Sequence, residues 1–447
     1  MKTISLIAFG VVVAVFSNIV SLPAQDQPSG LEEQAISSNQ SDAQKAQDQL
    51  RETGPKGLEM LESHFANEIL EHRSGGASNE RWARISRALD RVGGQYDNYA
   101  SGLYWYTDLE KAKAAAKASG KPILSLRLLG RLDEDLSCAN SRFFRTTLYP
   151  SVEINQLFKQ RFILHWESVR PAPRVTISFG DGRKLERTIT GNSIHYVLDP
   201  DGKVADALPG LYSARIFAAE LSRAADMLNE AQAHGVTSYA SYMKSTQDRL
   251  LKSWSADLSA IRPALPANQP ITESNLEQLM DDTKWEKVAQ LHLNDVYFDG
   301  RARELMARKL PASPTDGMMV YLPPDPTAIA PATPGKTAPR PKKIDARVAA
   351  KMAVSKSAVE IPMLQSFGKL TNTVILDTVR NNYMLRTKIL GFLSDQNTQA
   401  MSLADINNWV YASVFLTPRE DPWLGLNPPD VFSAIDKNGE TASLKQR

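Results

Sequence analysis

The segment from Tyr104 to Leu228 constrains the fold more than any other, because its apolar pattern changes period several times in a fixed order. Thr107-Asp108-Leu109-Glu110 is a capping box with acidic residues in the first turn. The Ala- and Lys-rich helix it opens stops at Gly120. Lys121 to Leu128 reads as a strand and Arg131 to Ser137 as a loop. Cys138 to Leu148 reads as a short helix ended by Pro150, and a second helix runs through Val152, Ile154, Leu157 and Phe158. Phe162 to Trp166 is the next strand. Val175 to Phe179 and Leu185 to Thr190 flank Gly180-Asp181-Gly182-Arg183, a hairpin signal. A second hairpin joins Ile194–Leu198 to Lys203–Leu208 through Asp199-Pro200-Asp201-Gly202. Ser213 then caps a helix with Ile216, Phe217, Leu221 and Leu228 on one face. Early crossovers and late hairpins imply an α/β domain with a mixed sheet covered on both faces.

Around this block the chain is mostly helical. Residues 25–56, beginning in a run of Gln, Ser, Asp and Ala without aromatics, read as a flexible tail. Residues 57–103 read as a helical cap, with Leu58, Leu61, Phe65 and Leu70 at helical spacing. Residues 104–230 form the sheet domain, with an inserted hairpin at 175–190, and residues 231–310 a polar helical region. Nine of the chain's 26 prolines fall between Pro311 and Pro341, so 311–345 reads as an extended linker. Residues 346–447 then form a separate helical C-terminal domain.

Residues 1–24 carry Lys2, an apolar run from Ile4 to Phe16 and small residues ahead of Ala24, the pattern of a signal peptide. The alternative, a single membrane anchor, is disfavoured because the run is shorter than the ~20 residues of a span. The chain is therefore expected in the periplasm or outside the cell, without stable membrane insertion once the leader is removed. Fifty-two Lys and Arg against 50 Asp and Glu leave no basic excess for nucleic acid. A single cysteine, Cys138, excludes an internal disulfide. No His, Asp or Glu spacing calls for a metal, and no motif calls for a cofactor.

The Tyr104–Leu228 block resembles the thioredoxin-like superfamily. The resemblance rests on Ala115-x-x-Ala118-Ser119-Gly120-Lys121-Pro122-Ile123-Leu124, on Cys138-Ala139-Asn140-Ser141, and on Tyr196-Val197-Leu198-Asp199-Pro200-Asp201-Gly202-Lys203. It departs from the redox-active pattern at two places. Ser141 stands where those members have a second cysteine, and Ser193, in Gly191-Asn192-Ser193-Ile194, stands where they have a proline. The whole chain, including Asp421 to Leu426, is similar to exported bacterial proteins, a likeness that implies no particular activity.

The resemblance implies a site at Cys138 and Ser141, faced by Asn192, Ser193 and His195. A thiolate is expected to be favoured there by the helix N-terminus and by Arg142 and Arg145. His165 and His195, on neighbouring strands, are candidate bases. Two functions follow. One is a monothiol disulfide reductase or isomerase acting through Cys138 on protein or small-molecule thiols and disulfides. The other is a non-catalytic binding or assembly module, with Cys138 inert and a protein partner held by the helical regions.

Overall fold

The computed structural model describes residues 30–188, 191–234, 238–296, 367–398 and 400–419. The expected signal peptide and the Pro-rich linker lie outside the described residues.

The N-terminal part is a helical unit with its own core. Its elements are α1 (Leu31–Gln34), α2 (Gln40–Glu52), α3 (Pro55–His64), α4 (Ala66–Arg73), α5 (Glu80–Gly93) and α6 (Asn98–Ser101). In α5, Trp82, Ile85, Ala88, Leu89 and Val92 recur at helical spacing and are buried. The Asn79 side chain caps the helix by accepting from the Trp82 amide, and Gly94 ends it in the left-handed conformation at φ 69°. Against the expectation of a flexible tail, α2 is packed. Ala43, Ala46, Gln47 and Leu50 form a buried stripe on it. Small side chains let α2 approach its neighbours closely, and their low hydrophobicity hides the stripe in the sequence. Leu70 is exposed, and its neighbour Ile69 takes the buried place in α4.

The second part is built on a sheet. In chain order it comprises α7 (Leu109–Ser119), β1 (Ile123–Leu129), α8 (Ala139–Phe143), α9 (Val152–Arg161) and β2 (Ile163–Arg170). A hairpin of β3 (Arg174–Ser178) and β4 (Lys184–Thr188) precedes β5 (Ser193–Leu198) and β6 (Val204–Pro209). The helices α10 (Ala214–His234), α11 (Tyr239–Ala260) and α12 (Asp282–Leu291) follow. The strand order is β2-β1-β5-β6. β1 runs parallel to β2 and antiparallel to β5, and β5 runs antiparallel to β6. All seven residues of β1 are buried, as befits a central strand covered on both faces. The mixed α/β sheet expected from the sequence is present, and β3 and β4 form a separate two-stranded sheet. At the β5–β6 turn Asp199 accepts from the amides of Asp201 and Lys203, which fixes the tight reversal.

The C-terminal helices correct the expected domain division. They are α13 (Phe367–Arg380), continued by a wider turn over Asn381–Arg386, α14 (Thr387–Ser394) and α15 (Leu403–Trp409), continued by Val410–Val414. Val374, Ile375, Val379, Ile389, Leu390, Ile406 and Val410 lie in the same core as the sheet, so this part is not a separate domain. The region before the linker joins that core as well: Trp254 of α11 stacks on Trp285 of α12 and on Tyr383.

A buried ion cluster fastens the join. Arg386 contacts Asp206 of β6 at 2.7 Å and Glu220 of α10 at 2.9 Å, and Glu220 also holds Arg223 and Arg249. Charged residues read as surface in a sequence, which is why the join is invisible there. Among the described residues no helix is long and apolar enough to cross a membrane.

Candidate functional site

Cys138 sits where three strands end. The Gly130 amide donates to the Arg170 carbonyl of β2, the Leu129 amide to the Asn192 carbonyl ahead of β5, and the Cys138 amide to the Leu129 carbonyl. The loop before it is tied down from both sides: Thr188 of β4 donates to the Ser137 carbonyl, and Arg145 to the Asp135 carbonyl. Cys138 is the N-cap of α8, which continues as a wider turn over Phe144–Leu148.

The thiol is fully buried. Burial pushes its pKa up. The backbone amides and hydroxyl of Ser141, the Asn140 amide and the Arg142 charge act in the opposite direction and do not prevail. The expected thiolate-favouring setting is therefore corrected. Burial outweighs the helix start, and Arg145 is turned away. Arg145 is buried beside Asp97 at 3.6 Å and lies over the Tyr96 ring.

The residues named with Cys138 divide into two groups. Ser141 touches Cys138 itself, while Asn192 and Ser193 are tied to its neighbours Leu129 and Asn140. Ser141 donates to the Cys138 carbonyl and shares a hydrogen bond with the Ser137 hydroxyl. Asn140 donates to Ser193 at 2.9 Å, so the α8 turn and the start of β5 meet as expected. Gly191 permits this approach: a Cβ there would lie 2.6 Å from the Asn140 Oδ1.

The histidines do not serve the thiol. β1 lies between β2 and β5, so His165 and His195 are not on neighbouring strands. His165 is in register with Ser125 and His195 with Leu126, consecutive residues that face opposite layers. His165 shares a hydrogen bond with Ser125 at 2.9 Å, and burial together with the Arg127 charge brings its pKa down to about 3. His195 shares one with the Tyr149 hydroxyl at 2.8 Å, packs edge-on against Phe144 and Phe217, and is brought down to about 3 by burial. Both rings are neutral at physiological pH.

The sequence did not single out the residues that close the site. Tyr149 and Tyr411 are both buried and lie close enough to Cys138 that its thiolate would oppose their own ionisation. Tyr411, just beyond α15, donates to the Asn192 carbonyl at 3.1 Å. Asn192 donates in turn to Thr417 at 3.3 Å, and Arg170 donates to the carbonyls of Thr417 and Pro418 at 2.8 and 2.9 Å. Leu416, between these anchors, is 70% exposed with φ at 53°. The C-terminal segment is thus a strap across the end of the sheet. Its sequence signal is the pair of aromatics Trp409 and Tyr411 on either side of Val410.

Comparison with protein-family models, with curated proteins and with solved structures returned no match for this chain.

Proposed function

We propose that this chain is an exported binding or assembly module built on a degenerate thioredoxin-like domain, with Cys138 enclosed in its core. The strand order β2-β1-β5-β6 with one parallel and two antiparallel pairings supports the domain assignment, as does the cysteine placed between β1 and α8. The observation that carries the functional reading is the complete burial of the Cys138 thiol. A nucleophile needs access and a population of thiolate. This one has no exposed surface, and burial raises its pKa.

The monothiol reading keeps one specific support. The amides of Asn140 and Ser141 and the Ser141 hydroxyl face the sulfur and would stabilise a thiolate once the strap had moved. That thiolate would attack a disulfide R–S–S–R, form Cys138–S–S–R and release RS⁻. A second, external thiol would then have to free Cys138, because Ser141 cannot.

Oxidised glutathione separates the two readings. Intact-mass analysis of the native protein should show no adduct at Cys138, while the Tyr411→Ala variant should acquire one. Rapid modification of the wild type at neutral pH would favour the monothiol reading.

A further inference from the structure

A groove of about 690 Å³ runs between α2 and α5 on the N-terminal unit. Arg84, Arg87 and Arg91 line it from α5, at spacings that place them along one face. Arg91 is neutralised by Asp48 at 2.7 Å. Arg84 and Arg87 have no acidic partner among the described residues, and the Arg84 Nε is buried without a hydrogen bond. Neighbouring like charges repel, so two unmatched guanidinium groups on one helix face work against stability.

The two acids in the lining do not answer them. Asp133 is gripped by Arg131 at 2.6 and 2.8 Å. Asp90 is occupied by the Asn98 amide at 2.7 Å, and burial raises its pKa to about 7, which halves its charge near neutral pH. The start of α2 opens on the same groove, with Gln40 and Gln44 among the lining residues. The positive end of a helix dipole and free side-chain amides add to the preference for an anion.

We propose that this groove binds a ligand bearing phosphate or carboxylate oxyanions, with Arg84 and Arg87 as its cationic contacts and Gln40 and Gln44 as further donors. The guanidinium fork matches the paired oxygens of both groups. The site is independent of Cys138 and of the thioredoxin-like assignment, so it stands or falls separately from them.

The test is calorimetric titration of the full protein with tripolyphosphate and, separately, with citrate, at constant ionic strength and pH 7.5. Saturable binding of at least one anion is expected, and the better anion identifies the ligand group. Arg84→Gln with Arg87→Gln should weaken that binding by at least about tenfold. Arg87→Gln alone, at an exposed position, should weaken it partially without lowering the melting temperature. Arg262→Gln, beyond the groove, should leave it unchanged. Absence of saturation with both anions, an unchanged affinity in the Arg87→Gln protein, or an equal loss in Arg262→Gln would overturn the assignment.

Discussion

The two cores of this protein are assembled in different ways. The N-terminal core gathers its residues from Ala35 to Ala100, a local cluster of helices joined by short turns. The sheet core draws together residues from Leu103 to Tyr411, and its last helices follow the long segment from 297 to 366 that lies outside the described residues. Where the two meet, hydrogen bonds cross between them. Arg51 donates to the carbonyls of Val92 and Trp105, Trp166 to that of Gly94, and Asn155 to that of Ser101. The difference teaches where each part is vulnerable. The first depends on local apolar packing, and the second on a few long-range links that hold distant segments to the sheet.

The largest effect is expected where the second kind of link is cut. Arg386→Ala leaves Asp206 and Glu220 buried without their shared cation, a loss on the order of 3–5 kcal/mol. Urea denaturation should show it, and hydrogen exchange should speed up in α13 to α15 together with β6. A change confined to the C-terminal helices would mean that they do not share one core with the sheet. Leu89→Ala, in the centre of the N-terminal core, should cost on the order of 3 kcal/mol. Its exchange signature should concentrate in α2 to α6. Equal acceleration in β1 would make the two cores a single cooperative unit.

A smaller effect is set by pH. Asp90 is half-buried in the N-terminal unit, and its pKa rises from the usual 3.8 to about 7 because loss of solvent disfavours the carboxylate. The folded state therefore holds this proton more tightly than the unfolded chain does. Its contribution is fully present below pH 3.8 and is lost as pH rises through 7, with a slope of at most about 1.4 kcal/mol per pH unit. Asp90→Asn should remove that slope from the unfolding free energy. An unchanged profile would place the pH sensitivity elsewhere.

The sequence made the sheet legible because period-two runs, turn signals and capping residues all agree in the Tyr104–Leu228 block. The turn at Asp199 and the cap at Asp108 are examples in which local chemistry settles local structure. It made the meeting of the α8 turn with the start of β5 legible too, because strand order brings the loops at one end of a sheet together. Three things were not legible. Ala43 and Ala46 are too small to mark α2 as packed. Arg386, Asp206 and Glu220 read as surface charges until their pairing across 180 residues is seen. Tyr411 and Thr417 reach Asn192 over more than 200 residues, a contact that no local pattern encodes. The sequence placed Cys138 at the start of α8, and burial raises its pKa where the helix start and nearby arginines led to the opposite expectation.

The alkylation rate of Cys138 as a function of pH, in the native protein and in urea, tests the closed core most directly. Reaction of a buried thiol requires an opening of the structure. The native rate should be at least about a hundredfold below that of the unfolded chain, and its pH profile should show no thiolate forming below the ordinary thiol pKa of ~8.5. A native rate at neutral pH equal to or above that of a free cysteine would contradict the closed core and assign Cys138 to an open, reactive site.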